Sequence, residues 1–384
     1  MRLVCIFKDT NILLLGYIFS LSASFALLKI SSTVRNAGLV FSSFGLGAGT
    51  IFALDMGMKI WVDRDGSTFT TAFIIKLSTA LLLIPLILAL NPLALPFLLM
   101  EPLTLLQDLL INQRKLRALS LSFLVSGLTK IVVALSLRED WTTIYLALCC
   151  GELMGHIVRI SAAHIPSFQL KFRELRGSLS ELIPLHLSMS STTIIHLLGS
   201  GILGLIIGPD KALGFYFVAA IAGAMWSIPN YMLSLRASGA RPDLGLMTLI
   251  SVTAALSSPF ISRILGYEEM ALSVGIVALA TIPTAMVYTI YGSQWREERS
   301  VKRFSILESI FRIFTIIVGA ILIGPAIVGL SQMTFMLLIY TTLQSQGPFR
   351  VGWLGLNSPS EVYPPSNAPE TKMNEYSSKP PGAL

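Results

Sequence analysis

Residues 68–112 read TFTTAFIIKLSTALLLIPLILALNPLALPFLLMEPLTLLQDLLIN. From Thr68 to Leu90 the one charge is Lys76, and the run exceeds the roughly 20 apolar residues that cross a bilayer. Asn91-Pro92 then interrupts it, because proline lacks the N–H that a continuing helix needs. A second apolar run, 93–112, carries Glu101 and Asp108. Two apolar runs joined by a tight Asn-Pro break predict a helical hairpin in the membrane.

The rest of the chain extends that reading. Of 384 residues, 53% are hydrophobic and 13% charged, and mean hydropathy is +0.72. Soluble domains carry about 25% charged residues, and a single water-soluble core stops growing near 250–300 residues. This composition excludes a soluble enzyme, a coiled coil and a disordered chain. It predicts an all-α polytopic membrane protein of about twelve transmembrane helices. The intervals are 10–30, 37–58, 68–90, 93–112, 118–137, 141–162, 180–207, 212–235, 244–263, 270–292, 303–323 and 325–344. The narrowest separations fall at Asn91-Pro92 and Gly324-Pro325. The first interval is read as an uncleaved helix, because no small-residue cleavage site follows it.

Positive charge tests this layout. With a cytoplasmic amino terminus, alternating loops place 20 of the 28 Lys and Arg inside and five outside. Three more, Lys76, Lys130 and Arg312, fall within spans. One missed span would invert every later loop, so this asymmetry predicts a multi-pass protein of a cell (inner or plasma) membrane with both termini cytoplasmic. It also accounts for the net charge of +7 without nucleic acid, whose binders gather basic residues on one exposed face. The polar stretch from His164 to Glu181 divides the chain into two sets of six spans. The predicted organisation is a six-helix half at 1–165, a cytoplasmic linker at 166–180, a second half at 181–345, and a disordered Pro- and Ser-rich tail at 346–384. Asn36–Phe41 and Ala212–Phe217 open equivalent helices in the halves. Such a parallel repeat builds a central cavity and favours transport.

Charge inside a span costs at least about 2.5–3.5 kcal/mol and marks functional positions. Lys76, Lys130 and Arg312 could line a cavity for an anionic substrate such as a phosphate or diphosphate. Each could instead be neutralised locally: Glu308 stands one turn before Arg312, Glu101 and Asp108 share a face that could meet Lys76 or Lys130, and Lys130 could snorkel. Glu152, His156 and Arg159 recur at helical spacing near the cytoplasmic end, as an interfacial salt-bridge cluster or a proton relay. His186 and His196 read as packing or hydrogen-bonding residues, and Asp55 as a carboxylate near the headgroups. Gly45-Leu46-Gly47-Ala48-Gly49 lacks the preceding strand and the lysine of a nucleotide loop and reads as close helix packing. Cys5, Cys149 and Cys150 have no metal spacing. Nothing calls for a cofactor or metal, and no GxSxG, HExxH or paired-carboxylate loop suggests an enzyme.

Leu182–Leu235, LIPLHLSMSSTTIIHLLGSGILGLIIGPDKALGFYFVAAIAGAMWSIPNYMLSL, resembles the polysaccharide-biosynthesis (O-antigen) flippase family, in the superfamily that also holds the MATE multidrug exporters. The matching residues are Gly208, Pro209, Leu213, Gly214 and Tyr216. Ala53–Met58 looks like the family's Leu-Asp-x-Gly-Leu helix ending, and Lys302–Met333 is similar to its late helix pair. The resemblance implies a transporter that flips a polyprenyl-diphosphate-linked oligosaccharide to the outer leaflet by rocking its halves. The lipid tail would stay among membrane lipid, and glycan polymerase or ligase machinery would take the product. Two other readings stand beside it: a cation-coupled small-molecule exporter using Glu101, Asp108 and Glu152, and a membrane glycosyltransferase or polymerase.

Overall fold

The computed structural model describes residues 2–137, 140–173, 176, 199–236, 244–291, 314–315 and 318–345. Among these the regular structure is entirely helical. The α-helices are α1 (Arg2–Ser31), α2 (Ala37–Arg64), α3 (Phe69–Leu90), α4 (Leu95–Met100), α5 (Leu105–Asn112), α6 (Leu116–Ser136), α7 (Trp141–Ala162), α8 (Gly199–Ile207), α9 (Pro209–Arg236), α10 (Leu244–Leu265), α11 (Ala271–Tyr291) and α12 (Ile327–Ser345). A further helical stretch covers 318–322. Residues 1–340 form one unit; of the second, 341–384, only the end of α12 is described.

Seven helical segments among the described residues are long and apolar enough to cross a membrane: Gly66–Leu90, Pro92–Asn112, Leu116–Ser136, Trp141–Ala162, Thr248–Leu265, Glu268–Val287 and Gly324–Thr341. Shorter apolar helices lie at Leu15–Ser31, Ala37–Thr50 and Lys211–Trp226. Ten of the twelve predicted intervals coincide with these helices. The other two, 180–207 and 303–323, lie largely outside the described residues. Large apolar side chains stand uncovered along the bundle: Leu82 is 81% exposed and Leu256 78%. Soluble monomers rarely leave such leucine surfaces to water, so hydrocarbon is their solvent here.

Both predicted breaks are helix ends. At Asn91 the backbone turns extended (φ −161°, ψ 98°). Its Oδ1 accepts from the Leu93 N–H at 3.1 Å, and its Nδ2 donates to Ser43 Oγ at 2.8 Å. A buried break thus has its polar groups satisfied, as a low-dielectric setting demands. Gly324 and Gly208 carry positive φ, +74° and +94°, each immediately before proline. Only glycine takes that conformation freely.

The fourth predicted span is helical throughout but not a regular α-helix. Pro92–Ala94 is 3-10, α4 follows, Glu101–Thr104 is 3-10 again, and α5 completes it. Pro102 has no N–H to offer the helix ladder, so the chain tightens around Glu101 in the middle of the span.

The turns sort to two ends. At one, His164 N–H donates to Gln113 Oε1 (3.0 Å), Lys115 Nζ to the Ala162 carbonyl (2.8 Å) and Lys171 Nζ to Ser67 Oγ (2.8 Å). These contacts tie together three of the loops that the charge pattern assigns to the cytoplasm. Arg114, Lys115, Arg117, Arg173 and Arg176 are exposed. At the other end Tyr145 Oη donates to the Leu93 carbonyl and Tyr267 Oη to the Leu28 carbonyl.

Helix α1 packs on α6, α6 on α7, and α11 on α9 and α10. Helix α2 is central, touching α3–α5 on one side and α8 and α9 on the other. The glycine-rich run makes this possible. Gly47 lies against the Ala94 carbonyl and Phe97, and Gly201 of α8 lies against the backbone of Leu46. The run is helix packing, as its sequence context predicts. Phe41 and Phe44 of α2 meet Tyr216 of α9 (centroids 4.7 and 6.3 Å), and Phe44 meets Phe97 at 5.1 Å.

Candidate functional site

Polar side chains inside the bundle gather where α2, α3, the broken α4–α5 segment, α6 and α7 meet. Lys76, on α3, is fully buried. Its ammonium donates to Glu101 Oε1 and Thr104 Oγ1, both at 3.0 Å. Thr104 Oγ1 lies 3.1 Å from the same Oε1 and 2.8 Å from the Glu101 carbonyl oxygen. Lys59, on the last turns of α2, brings a second ammonium to 3.8 Å from Glu101 Oε1. Two cations and a hydroxyl thus converge on one carboxylate oxygen at the helix break. The 3-10 turn shapes this arrangement, since residues three apart eclipse one another and Thr104 therefore stands over Glu101.

The second cluster lies in the seam between α6 and α7. Lys130 Nζ donates to Glu152 Oε1 at 2.7 Å. Its aliphatic stem lies against Gly151, and Ser126 lies against Gly155. Gly151-Glu-Leu-Met-Gly155 is a small-xxx-small stripe, which lets two membrane helices approach closely. One turn further along, Arg159 Nε donates to Ser122 Oγ at 3.1 Å, and the guanidinium stands 5.4 Å from the Phe123 ring centroid. Arg159 Nη1 is 3.5 Å from His156 Nδ1. His156 is 2% exposed and Arg159 5%.

These clusters share one field. Arg159 interacts electrostatically with Glu152, Asp108 and Glu101. His156 does so with Glu152, Glu101 and Lys59. Lys59, Lys76, Lys130 and Arg159 supply four positive charges, against three carboxylates on Glu101, Asp108 and Glu152. These are the charges among the described residues, and Lys59, Lys76 and Asp108 have further partners. Arg159 is 3 residues from the end of α7 and Lys130 is 14 from the start of α6. At 1.5 Å per residue they stand about 5 and 21 Å above the same end of the bundle. The network is a column reaching into the membrane.

The structure separates residues that the sequence left as alternatives. Lys76 pairs with Glu101, whereas Lys130 pairs with Glu152, and Asp108 lies in the field of Arg159. Glu152, His156 and Arg159 do share a helix face, and that face lies in the seam between α6 and α7. Arg312 and Glu308 lie outside the described residues, as do His186, His196 and the side chain of Asp55. Lys59, Thr104, Ser122 and Ser126 had no part in the expected site. Lys59 falls just past the predicted second span, 37–58, and α2 carries it inward by running on to Arg64. The Gly151–Gly155 spacing was legible in the sequence and would have pointed to the α6–α7 seam.

A separate cavity of about 250 Å³ lies at the end carrying the basic loops, lined by Asp65, Ser67, Leu109, Asn112, Gln113 and His164 among others. The Ser67 hydroxyl, donating to Asp65 at 2.6 Å, holds that carboxyl below the usual range, with Lys171 3.7 Å away assisting. Among the described residues no group of His, Cys, Asp and Glu is arranged to hold a metal ion.

No protein-family model, curated protein or solved structure matches the chain.

Proposed function

We propose that this chain is a membrane transporter for an anionic, lipid-linked substrate. Specifically, it would carry a polyprenyl-diphosphate-linked oligosaccharide from the cytoplasmic to the outer leaflet, by alternating access between two six-helix halves. The observation that carries the reading is the gathering of basic groups inside the membrane: among the described residues Lys59, Lys76, Lys130 and Arg159 stand with Glu101, Asp108 and Glu152 around the tightened turn of the fourth span. Intramembrane charge is expensive and concentrates on transport paths. A diphosphate head group calls for basic groups along its path, and the described part of the network carries four. Arg312 in the second half would add to it. The resemblance of Leu182–Leu235 to the polysaccharide flippases supplies the sugar-lipid identity.

The test is surface glycan in a host lacking its own flippase. The wild-type chain should restore it, and Lys76→Ala with Arg312→Ala should abolish it at unchanged protein level. Normal glycan from the double variant would refute the cationic path.

A cation-coupled small-molecule exporter is the second reading. It is favoured by the three carboxylates, Glu101, Asp108 and Glu152, that lie within the field of one arginine. Drug resistance conferred by the wild type and lost in Asp108→Asn would select it over the first.

A further inference from the structure

We infer that the Glu101 carboxylate is a tethered stand-in for the substrate anion: Oε1 occupies an oxyanion site formed by Lys59, Lys76 and Thr104, and a diphosphate must displace it to bind. The natural ligand's identity rests on the proposed function; the site itself does not. Groups from three elements converge on one oxygen: Lys76 Nζ donates to it at 3.0 Å, the Thr104 hydroxyl lies 3.1 Å away, and Lys59 Nζ stands at 3.8 Å as an ion-pair partner. Glu101 Oε1 holds one negative charge between two ammonium groups. Converging cations with a hydroxyl are the arrangement that receives a phosphate oxygen, with lysine acting as a compact point charge.

The position of the carboxylate gives it somewhere to go. Glu101 opens the 3-10 turn before Pro102, between two short helices of six and eight residues. Glu101 N–H still bonds the Phe97 carbonyl, whereas Pro102 has no N–H to give and Leu105 N–H bonds the Pro102 carbonyl in 3-10 fashion, so the ladder is weaker on the C-terminal side of Glu101. A carboxylate carries one charge, whereas a diphosphate ester presents more than one anionic oxygen to the two ammoniums. The tethered group holds the buried cations while the site is empty and yields to the more highly charged ligand. In this way the resting transporter keeps a carboxylate against both ammoniums, whose loss would destabilise it.

The experiment is calorimetric titration of the purified full chain in lipid nanodiscs with inorganic diphosphate, in parallel with nanodiscs containing a polyprenyl-diphosphate lipid. Glu101→Gln should bind inorganic diphosphate at least tenfold more tightly than wild type. The gain should disappear when Lys76→Met is added. A parallel gain for the lipid identifies a lipid-linked diphosphate as the ligand, whereas a gain for inorganic diphosphate alone assigns the site to the free anion. Should Glu101→Gln not give monodisperse protein, Glu101→Asp keeps the charge but withdraws the carboxylate by one methylene, and should give a smaller gain of the same sign. No gain in either variant, or a gain that survives Lys76→Met, overturns the inference. The glycan assay is independent of this titration. Tighter diphosphate binding without glycan restoration leaves the anion site standing and removes the flippase, and the converse result removes only the stand-in.

Discussion

Removing Lys130 should destabilise the protein far more than removing Lys130 and Glu152 together. The pair is short, 2.7 Å, with the lysine side chain 6% and the glutamate 28% exposed. Lys130→Met leaves Glu152 in the α6–α7 seam without its ammonium. Breaking a buried pair from one side costs about 3–5 kcal/mol. The partial exposure of Glu152 argues for the lower end, as does the modest strength of polar contacts between membrane helices, at most about 1.7 kcal/mol. We therefore expect a loss of about 2–3 kcal/mol, roughly a thirty- to 150-fold shift in the folding equilibrium. Adding Glu152→Leu removes the orphaned charge and should recover most of that loss, because an apolar pair of similar volume suits the seam. Reversible unfolding in mixed detergent micelles, monitored by helical circular dichroism on the wild type, both single variants and the double, gives the coupling energy directly. A Lys130→Met variant as stable as wild type, or a double variant no better than the worse single, would refute the argument that this pair is a buried charge pair.

Gly151→Val should separate α6 from α7. A Cβ at that position would lie 3.0 Å from the Ser126 carbonyl oxygen and overlap the stem of Lys130, so the loss should be about 1–3 kcal/mol in the same unfolding measurement. For Asp65 the folded-state carboxyl titrates below its ordinary 3.8, chiefly through the Ser67 hydroxyl. The turn it holds should therefore keep its full stability above about pH 4 and lose it as pH falls through the depressed value. Amide exchange at Ser67 and Thr68, compared between wild type and Asp65→Asn, checks this; a turn whose protection is equally pH-dependent in the variant would discard it.

Much of the fold is legible in local sequence because its signals are local. Apolar length marks a span wherever backbone groups must be satisfied within one helix, which is why the predicted intervals meet helices throughout the described residues. Asn91-Pro92 and Gly324-Pro325 end helices through the chemistry of two adjacent residues, and the Gly45–Gly49 run announces close packing by having little side chain. The internal break at Glu101-Pro102 was equally local, yet two apolar stretches on either side masked it. Apolar length measures whether a segment can cross the membrane, and it is insensitive to a single tightened turn.

The charges were only half legible. By itself the sequence determined that Lys76, Lys130 and the carboxylates lie within membrane spans, because hydropathy and position along the chain suffice for that. Which carboxylate meets which lysine was decided by the tertiary structure alone. Glu101 is 25 residues from Lys76 and Glu152 is 22 from Lys130, and neither separation says which helix faces lie together. Glycines 151 and 155 set the α6–α7 approach that pairs Lys130 with Glu152. The Pro102 break and the length of α2 bring Lys59 and Lys76 to one oxygen of Glu101. Pairing in a membrane depends on rotation and depth of neighbouring helices, and those are fixed by packing between segments that no single stretch of sequence contains.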